Sequence, residues 1–125
     1  RQQECAYFDY FLDRLSRGLP VPLPGDGFQR TTLTHAADVA SMVAKVVELP
    51  AAELDGEAFN CASDRRVSYL KLVADVGASL GMDREAAKAR AVFYEPTGLA
   101  LPEDCACFPF PAVPFGVGVA KAKAR

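Results

Sequence analysis

Residues 25–63 open with Gly25-Asp-Gly-Phe-Gln-Arg-Thr-Thr-Leu-Thr-His-Ala-Ala-Asp-Val39, run through an apolar-periodic stretch to Pro50, and close with Glu57-Ala-Phe-Asn-Cys-Ala-Ser63. The glycine-flanked Asp26 predicts a tight turn. Phe28 to Leu33 is rich in β-branched residues and predicts a short strand. A helix is expected to open at Thr34 or His35, because Val39, Met42, Val43 and Val46 repeat at helical spacing and Pro50 forces an exit. Ala58-Phe-Asn-Cys-Ala62, bounded by Asp55-Gly56 and Ser63-Asp64, predicts a second short strand.

Upstream, Glu4 to Arg17 predicts an amphipathic helix, with Phe8, Phe11, Leu12 and Leu15 on one stripe. Gly18 suits its C′ position and Pro20 forbids continuation. Prolines 20, 22 and 24 remove the backbone donors along one side of Leu19–Pro24, so this segment is expected as an extended edge. Downstream, Ser68 is placed to cap a helix whose face carries Tyr69, Leu72, Val73, Val76 and Leu80, with Gly81 at its end. Ala91–Tyr94 predicts a further strand. Residues 96–114 hold five of the nine prolines and read as a long loop. Val117–Arg125 looks like the start of a helix. Strands alternating with helices point to an α/β class.

The chain has 125 residues and a formal net charge of -2. A pI near 5.4 does not support a strongly basic nucleic-acid surface. Lys121, Lys123 and Arg125 cluster at the C-terminus, either as contacts to a nucleic-acid backbone or, more simply, as a solvated face. No apolar run is long enough to span a bilayer, so no membrane partner is expected. Cys5, Cys61, Cys105 and Cys107 do not have zinc-ligand spacing, and only one histidine accompanies them, so no metal site is expected. Reduced, partly buried thiols are the expected state. Because the first residue is Arg1, a piece of a longer protein is expected.

No self-contained catalytic set is visible. No Gly-x-Gly-x-x-Gly follows a strand, no tyrosine is followed by lysine four residues on, and no phosphate loop of the Gly-Lys-Ser/Thr type occurs. The candidates for contact with a substrate or phosphate are Asp26, Gln29, Arg30 and His35. Arg30 offers a guanidinium fork to a phosphate, or an ion pair to Asp26. His35 is a base or ligand contact, or simply the opening residue of its helix, with Asp38 favouring the first turn electrostatically. Phe108, Phe110 and Phe115 are either base-stacking rings or core residues.

Taken together, Gly25-Asp26-Gly27-x-Gln29-Arg30, His35-x-x-Asp38-Val39 and Phe59-Asn60 resemble the C-terminal part of an extended short-chain dehydrogenase, of the NAD-dependent epimerase/dehydratase superfamily. Asp13-Arg14-Leu15, Pro20-Val-Pro22, His35-x-x-Asp-Val-Ala-Ser-Met42 and Phe59-Asn-Cys-Ala-Ser-Asp-Arg65 resemble the atypical chloroplast stem-loop-binding family within it. Val92-Phe-Tyr-Glu-Pro96 and Phe108-Pro-Phe110 extend that resemblance. It implies the C-terminal portion of a Rossmann-type NAD(P)-binding fold: residues 19–63 at the edge of the Rossmann core, and 64–125 in a smaller substrate lobe with a long loop. The helix after His35 would pack on the sheet, and the strand around Phe59 would join its edge. The resemblance further implies a chloroplast stromal location, association with plastid RNA or ribosomes, and endoribonuclease activity, and it allows an oligomer. The alternative role is the substrate lobe of a sugar-nucleotide epimerase or dehydratase, for which Arg30 is the typical phosphate contact. The sequence departs from the RNA-associated pattern at Asp104, Cys105, Cys107 and Pro111, where the relatives carry basic residues.

NAD(P) is the cofactor implied for the full-length protein, but the chain lacks the glycine-rich βα turn that cradles a pyrophosphate. Isothermal calorimetry with NAD is therefore expected to give no saturable heat, and a clear isotherm would overturn that expectation.

Overall fold

The computed structural model describes residues 7–97 and 112–124. Their order is α1 (Asp9–Ser16), β1 (Val21–Pro24), β2 (Arg30–Thr32), α2 (Ala36–Glu48), α3 (Ala51–Leu54), β3 (Arg66–Ser68), α4 (Tyr69–Ser79), α5 (Arg84–Lys88), β4 (Ala91–Tyr94) and α6 (Ala120–Lys123). The chain is mixed α/β. Its described strands make one parallel pair, β1 with β4, and one antiparallel pair, β2 with β3.

The alternating prolines determine how β1 pairs. Val21 N–H donates to Arg90 O at 2.8 Å, and Gly25 N–H donates to Tyr94 O at 2.8 Å. The odd-numbered residues thus supply the ladder donors, while Pro22 and Pro24 put their donor-less nitrogens on the opposite edge. On that edge the Tyr10 hydroxyl donates to Pro22 O at 2.8 Å. A strand that looks unfit for a sheet is therefore well suited to pairing on one side.

The core lies where α1, β1, α4 and α5 meet: Phe11 and Leu15, Val21 and Leu23, Tyr69, Leu72, Val73 and Val76, and Ala87. Each large side chain among them stabilises the fold by about 1.5–3 kcal/mol relative to exposure. The expected stripe of α4 is borne out from Tyr69 to Val76, but Leu80 serves as the C-cap and is exposed. Both α1 and α4 end in the bond pair that positive-φ glycines permit. Gly18 N–H donates to Leu15 O and Leu19 N–H to Arg14 O; Gly81 N–H donates to Ala78 O and Met82 N–H to Gly77 O.

Two expectations fail. Ala58–Ala62 forms no strand; the strand after α2 is Arg66–Ser68, where alternation places Val67 against the core and Arg66 outside. The side chains of Phe59 and Asn60 instead turn towards α6, with Lys121 Nζ 4.9 Å from the Phe59 ring centre and Asn60 Nδ2 donating to Gly118 O at 3.1 Å. Second, α2 buries none of its residues, and Val39, Val43 and Val46 of its stripe are 41%, 58% and 37% exposed. Its local signals suffice to make a helix, but no described strand offers its apolar stripe a place to dock. Residues 4–6 of the predicted N-terminal helix, with Cys5, lie outside the described part, as does most of the 96–114 loop, with Cys105, Cys107, Phe108 and Phe110.

Gly77 sets the approach of α4 to α5, since a methyl group there would overlap Ala87 Cβ. Gly77→Ala gains helix propensity of about 1 kcal/mol but overpacks this contact. A net loss of about 1–2 kcal/mol is expected in denaturant unfolding, within the range for small-to-large core changes. An increase in stability would mean that α5 shifts at no cost.

Candidate nucleotide-binding site

The four predicted site residues sit on or next to the connection from β1 to α2, and three of them have structural work there. Asp26 Oδ1 accepts from Phe28 N–H at 2.9 Å, closing an Asx turn. It does not pair with Arg30. Gln29 lies over Gly25 so closely that a Cβ at position 25 would collide with its amide, and Gln29 Oε1 is buried without a hydrogen-bond partner. His35 is the N-cap of α2, with Nδ1 accepting from Ala37 N–H at 3.1 Å. That bond occupies the Nδ1 lone pair and leaves Nε2 to carry the ring proton.

The glycine turn has a further role. Tyr69 N–H donates to Gln29 O at 3.2 Å, Leu70 N–H donates to Gly27 O at 2.9 Å, and Lys71 N–H donates to Ser68 Oγ at 3.2 Å. These three are the first amides of α4, which a helix cannot satisfy internally. The turn and Ser68 therefore cap α4 from outside. Gly27 is held tightly in this arrangement, because a Cβ there would lie 2.9 Å from the Phe93 ring and 3.1 Å from Leu23 Cδ1. The start of α4 is consequently filled by protein carbonyls and is not open to an anion.

Arg30 is the exception. It is exposed, and among the described residues it joins no ion pair. Its strand pairs with β3 in the register Arg30↔Ser68, Thr31↔Val67, Thr32↔Arg66. Opposed residues share a face, so Arg30, Thr32 and Arg66 all lie on one side of the ribbon, while Thr31 and Val67 face the core. Arg66 was not singled out by the sequence reading; its alternation with Val67, just before a capping serine, is the signal that could have found it. The Arg66 guanidinium lies against Gly116, where a Cβ would come within 2.6 Å of Nε. One residue earlier, Phe115 N–H donates to Arg30 O at 2.8 Å. Arg30 thus meets Phe115 through its backbone carbonyl, and the Arg66 guanidinium lies beside the next residue, Gly116.

Phe115 also lines a cleft of about 430 Å³, together with Tyr7, Phe8, Thr32 and Thr34. That volume lies within the range of small-molecule sites. The three rings are each about half exposed, and Thr32 Oγ1 is buried without a hydrogen-bond partner. Hydroxyls and aromatic rings therefore meet at one edge of the ribbon, and the two arginines lie beside this cleft without lining it.

The C-terminal lysines are arranged differently. Lys121 pairs with Glu57 and Lys123 with Asp64, so they brace α6 against residues 57–64 rather than present free charge. Lys71 and Arg84 converge on Asp75. Partial burial pulls the Asp75 carboxyl upward, but hydrogen bonds and charge from Lys71 and Arg84 outweigh it and hold the group below the usual carboxylate range. Cys61 is a half-buried free thiol. No group of three or more histidine, cysteine or acidic side chains is placed to hold a metal ion among the described residues. No described helix is long and apolar enough to cross a membrane.

No family model, curated protein or solved structure matches the chain. The architecture and the geometry of the ribbon therefore carry the functional argument.

β1, which delivers the turn, is anchored through Tyr10. Burial is the main cause that pushes the Tyr10 phenol up to about 12, Arg14 opposes it, and Tyr94 adds to it. A raised phenol contributes stability that is complete below its unfolded value of 10.0 and is lost as pH rises through about 12. Tyr10→Phe is expected to cost about 1 kcal/mol at neutral pH from the lost hydrogen bond and to flatten this alkaline decline. Chemical unfolding between neutral pH and pH 12 checks both, and an unchanged alkaline slope would assign the decline to other groups.

Proposed function

We propose that this chain is the ligand-holding part of an α/β protein, and that the Arg30–Arg66 face with the adjoining cleft binds a nucleotide diphosphate, a nucleotide sugar being the favoured ligand. The observation that carries this reading is the pair of arginines on one ribbon face beside an aromatic cleft, neither joined to a carboxylate among the described residues. Guanidinium groups match phosphate oxygens in pairs. The rings of Phe115, Tyr7 and Phe8 offer stacking surface for a base, and the threonine hydroxyls offer hydrogen bonds to a sugar. On this reading the chain resembles the substrate lobe of an NAD-dependent sugar-nucleotide epimerase or dehydratase, with NAD(P) bound by other parts of the protein.

A second reading is plastid RNA or ribosome association of the atypical stem-loop-binding type. The exposed aromatic rings favour it, since single strands stack on such surfaces. Against it, Lys121 and Lys123 are already neutralised, and a long phosphate tract needs several free cations.

Calorimetry with UDP-glucose, and binding of a single-stranded RNA across a salt series, separate the two. The nucleotide-sugar reading expects saturable UDP-glucose binding, weakened about 10- to 100-fold by Arg30→Gln or Arg66→Gln, as for loss of a charged hydrogen bond. Tight RNA binding that falls steeply with salt and ignores UDP-glucose would replace it with the RNA reading.

A further inference from the structure

A second cleft, of about 490 Å³, lies between α2, residues 60–64 and α6. Unlike the aromatic cleft, its walls mix charged and hydroxyl side chains with apolar ones. Asp38, Ser41 and Lys45 fall on one face of α2 at i, i+3 and i+7. Asn60, Ser63 and Asp64 line it from the facing segment. Met42, Val119 and Ala122 add apolar surface.

The walls come from distant parts of the chain and are tied together. Lys123 pairs with Asp64, Lys121 pairs with Glu57, and Asn60 donates to Gly118 O at 3.1 Å. These ties occupy Lys123, one Asp64 oxygen and one Asn60 donor. Ser63 Oγ accepts from Arg65 N–H at 3.2 Å, which leaves its hydroxyl proton to donate into the cleft. Lys45 joins no ion pair among the described residues. The lining therefore combines carboxylate acceptors, hydroxyls that donate and accept, a side-chain amide and one uncommitted ammonium.

We infer that this cleft binds a phosphorylated polyol, such as a hexose phosphate, with Lys45 holding the phosphate and Asp38, Ser41 and Ser63 holding the hydroxyls. A polyol presents donors and acceptors in alternation, which is what this lining complements, and the apolar surface of Met42 and Val119 suits the C–H face of a sugar ring. A neutral sugar would leave Lys45 unused. A bare phosphate would engage Lys45 but leave the Asp38, Ser41 and Ser63 oxygens without hydroxyl partners. The site is separate from the Arg30–Arg66 face, and neither of those arginines lines it.

The test is titration of the whole chain with glucose 1-phosphate, glucose and inorganic phosphate, followed by ligand-observed NMR and calorimetry. Glucose 1-phosphate is expected to bind at least tenfold more tightly than either other probe. Lys45→Gln is expected to remove at least tenfold of that affinity while circular dichroism stays unchanged. Because Lys45 is exposed on α2, its replacement does not threaten folding, and Ser41→Ala provides a second, smaller loss. The inference is overturned if glucose 1-phosphate does not saturate, if phosphate alone binds as tightly, or if Lys45→Gln binds like the parent. Loss in Arg30→Gln but not in Lys45→Gln would move the ligand to the ribbon face and also overturn it.

Discussion

The core of the described residues depends on α4 being seated against β1. Tyr69 and Val73 are fully buried, as are Val21 and Leu23, and Phe11 of α1 closes the same cluster. Once α4 is fixed, its first three amides need acceptors, and the turn between β1 and β2 supplies two of them through Gly27 O and Gln29 O. Its C-terminal end meets α5 across Gly77, with no room for a side chain. One helix thus positions the parallel pair on one side and the ribbon on the other. The apolar burial supplies the driving force, and the backbone bonds supply the register.

This arrangement explains why most of the predicted site residues turn out to be structural. Asp26 closes a turn, Gln29 covers Gly25 while its carbonyl caps α4, and His35 caps α2. Polar residues in a glycine-rich connection have many backbone donors within reach, and those local bonds cost little entropy to make. Arg30 escapes because a strand residue pointing outward has no such donors or acceptors beside it. Its companion, Arg66, comes from a strand far along the chain. Only the antiparallel register brings the two to the same face.

The charges fall into two populations for a related reason. Lys71, Arg84, Lys121 and Lys123 each meet a carboxylate, and these exposed pairs contribute little stability individually. Their effect is to brace short elements that have little apolar surface of their own, α6 above all. Arg30, Arg66 and Lys45 are outside that system, and the two clefts open beside them.

By itself, the sequence determined the local pieces: the helices after His35 and Ser68, their glycine and proline stops, the Ala91–Tyr94 strand and the one-sided character of Leu19–Pro24. Each depends on neighbours within a few residues, so caps, turn chemistry and periodicity are sufficient to read it. Tertiary structure decided which strands pair, that Ala58–Ala62 pairs with none, and that the α2 stripe stays exposed. It also decided that Arg66 joins Arg30 while Lys121 and Lys123 are consumed by Glu57 and Asp64. Those outcomes depend on contacts between residues far apart in the chain, where a short apolar run has no local feature that names its partner. The burial of α4 against β1 fixes the core and the seat of the ribbon, and it becomes visible only when the chain is folded.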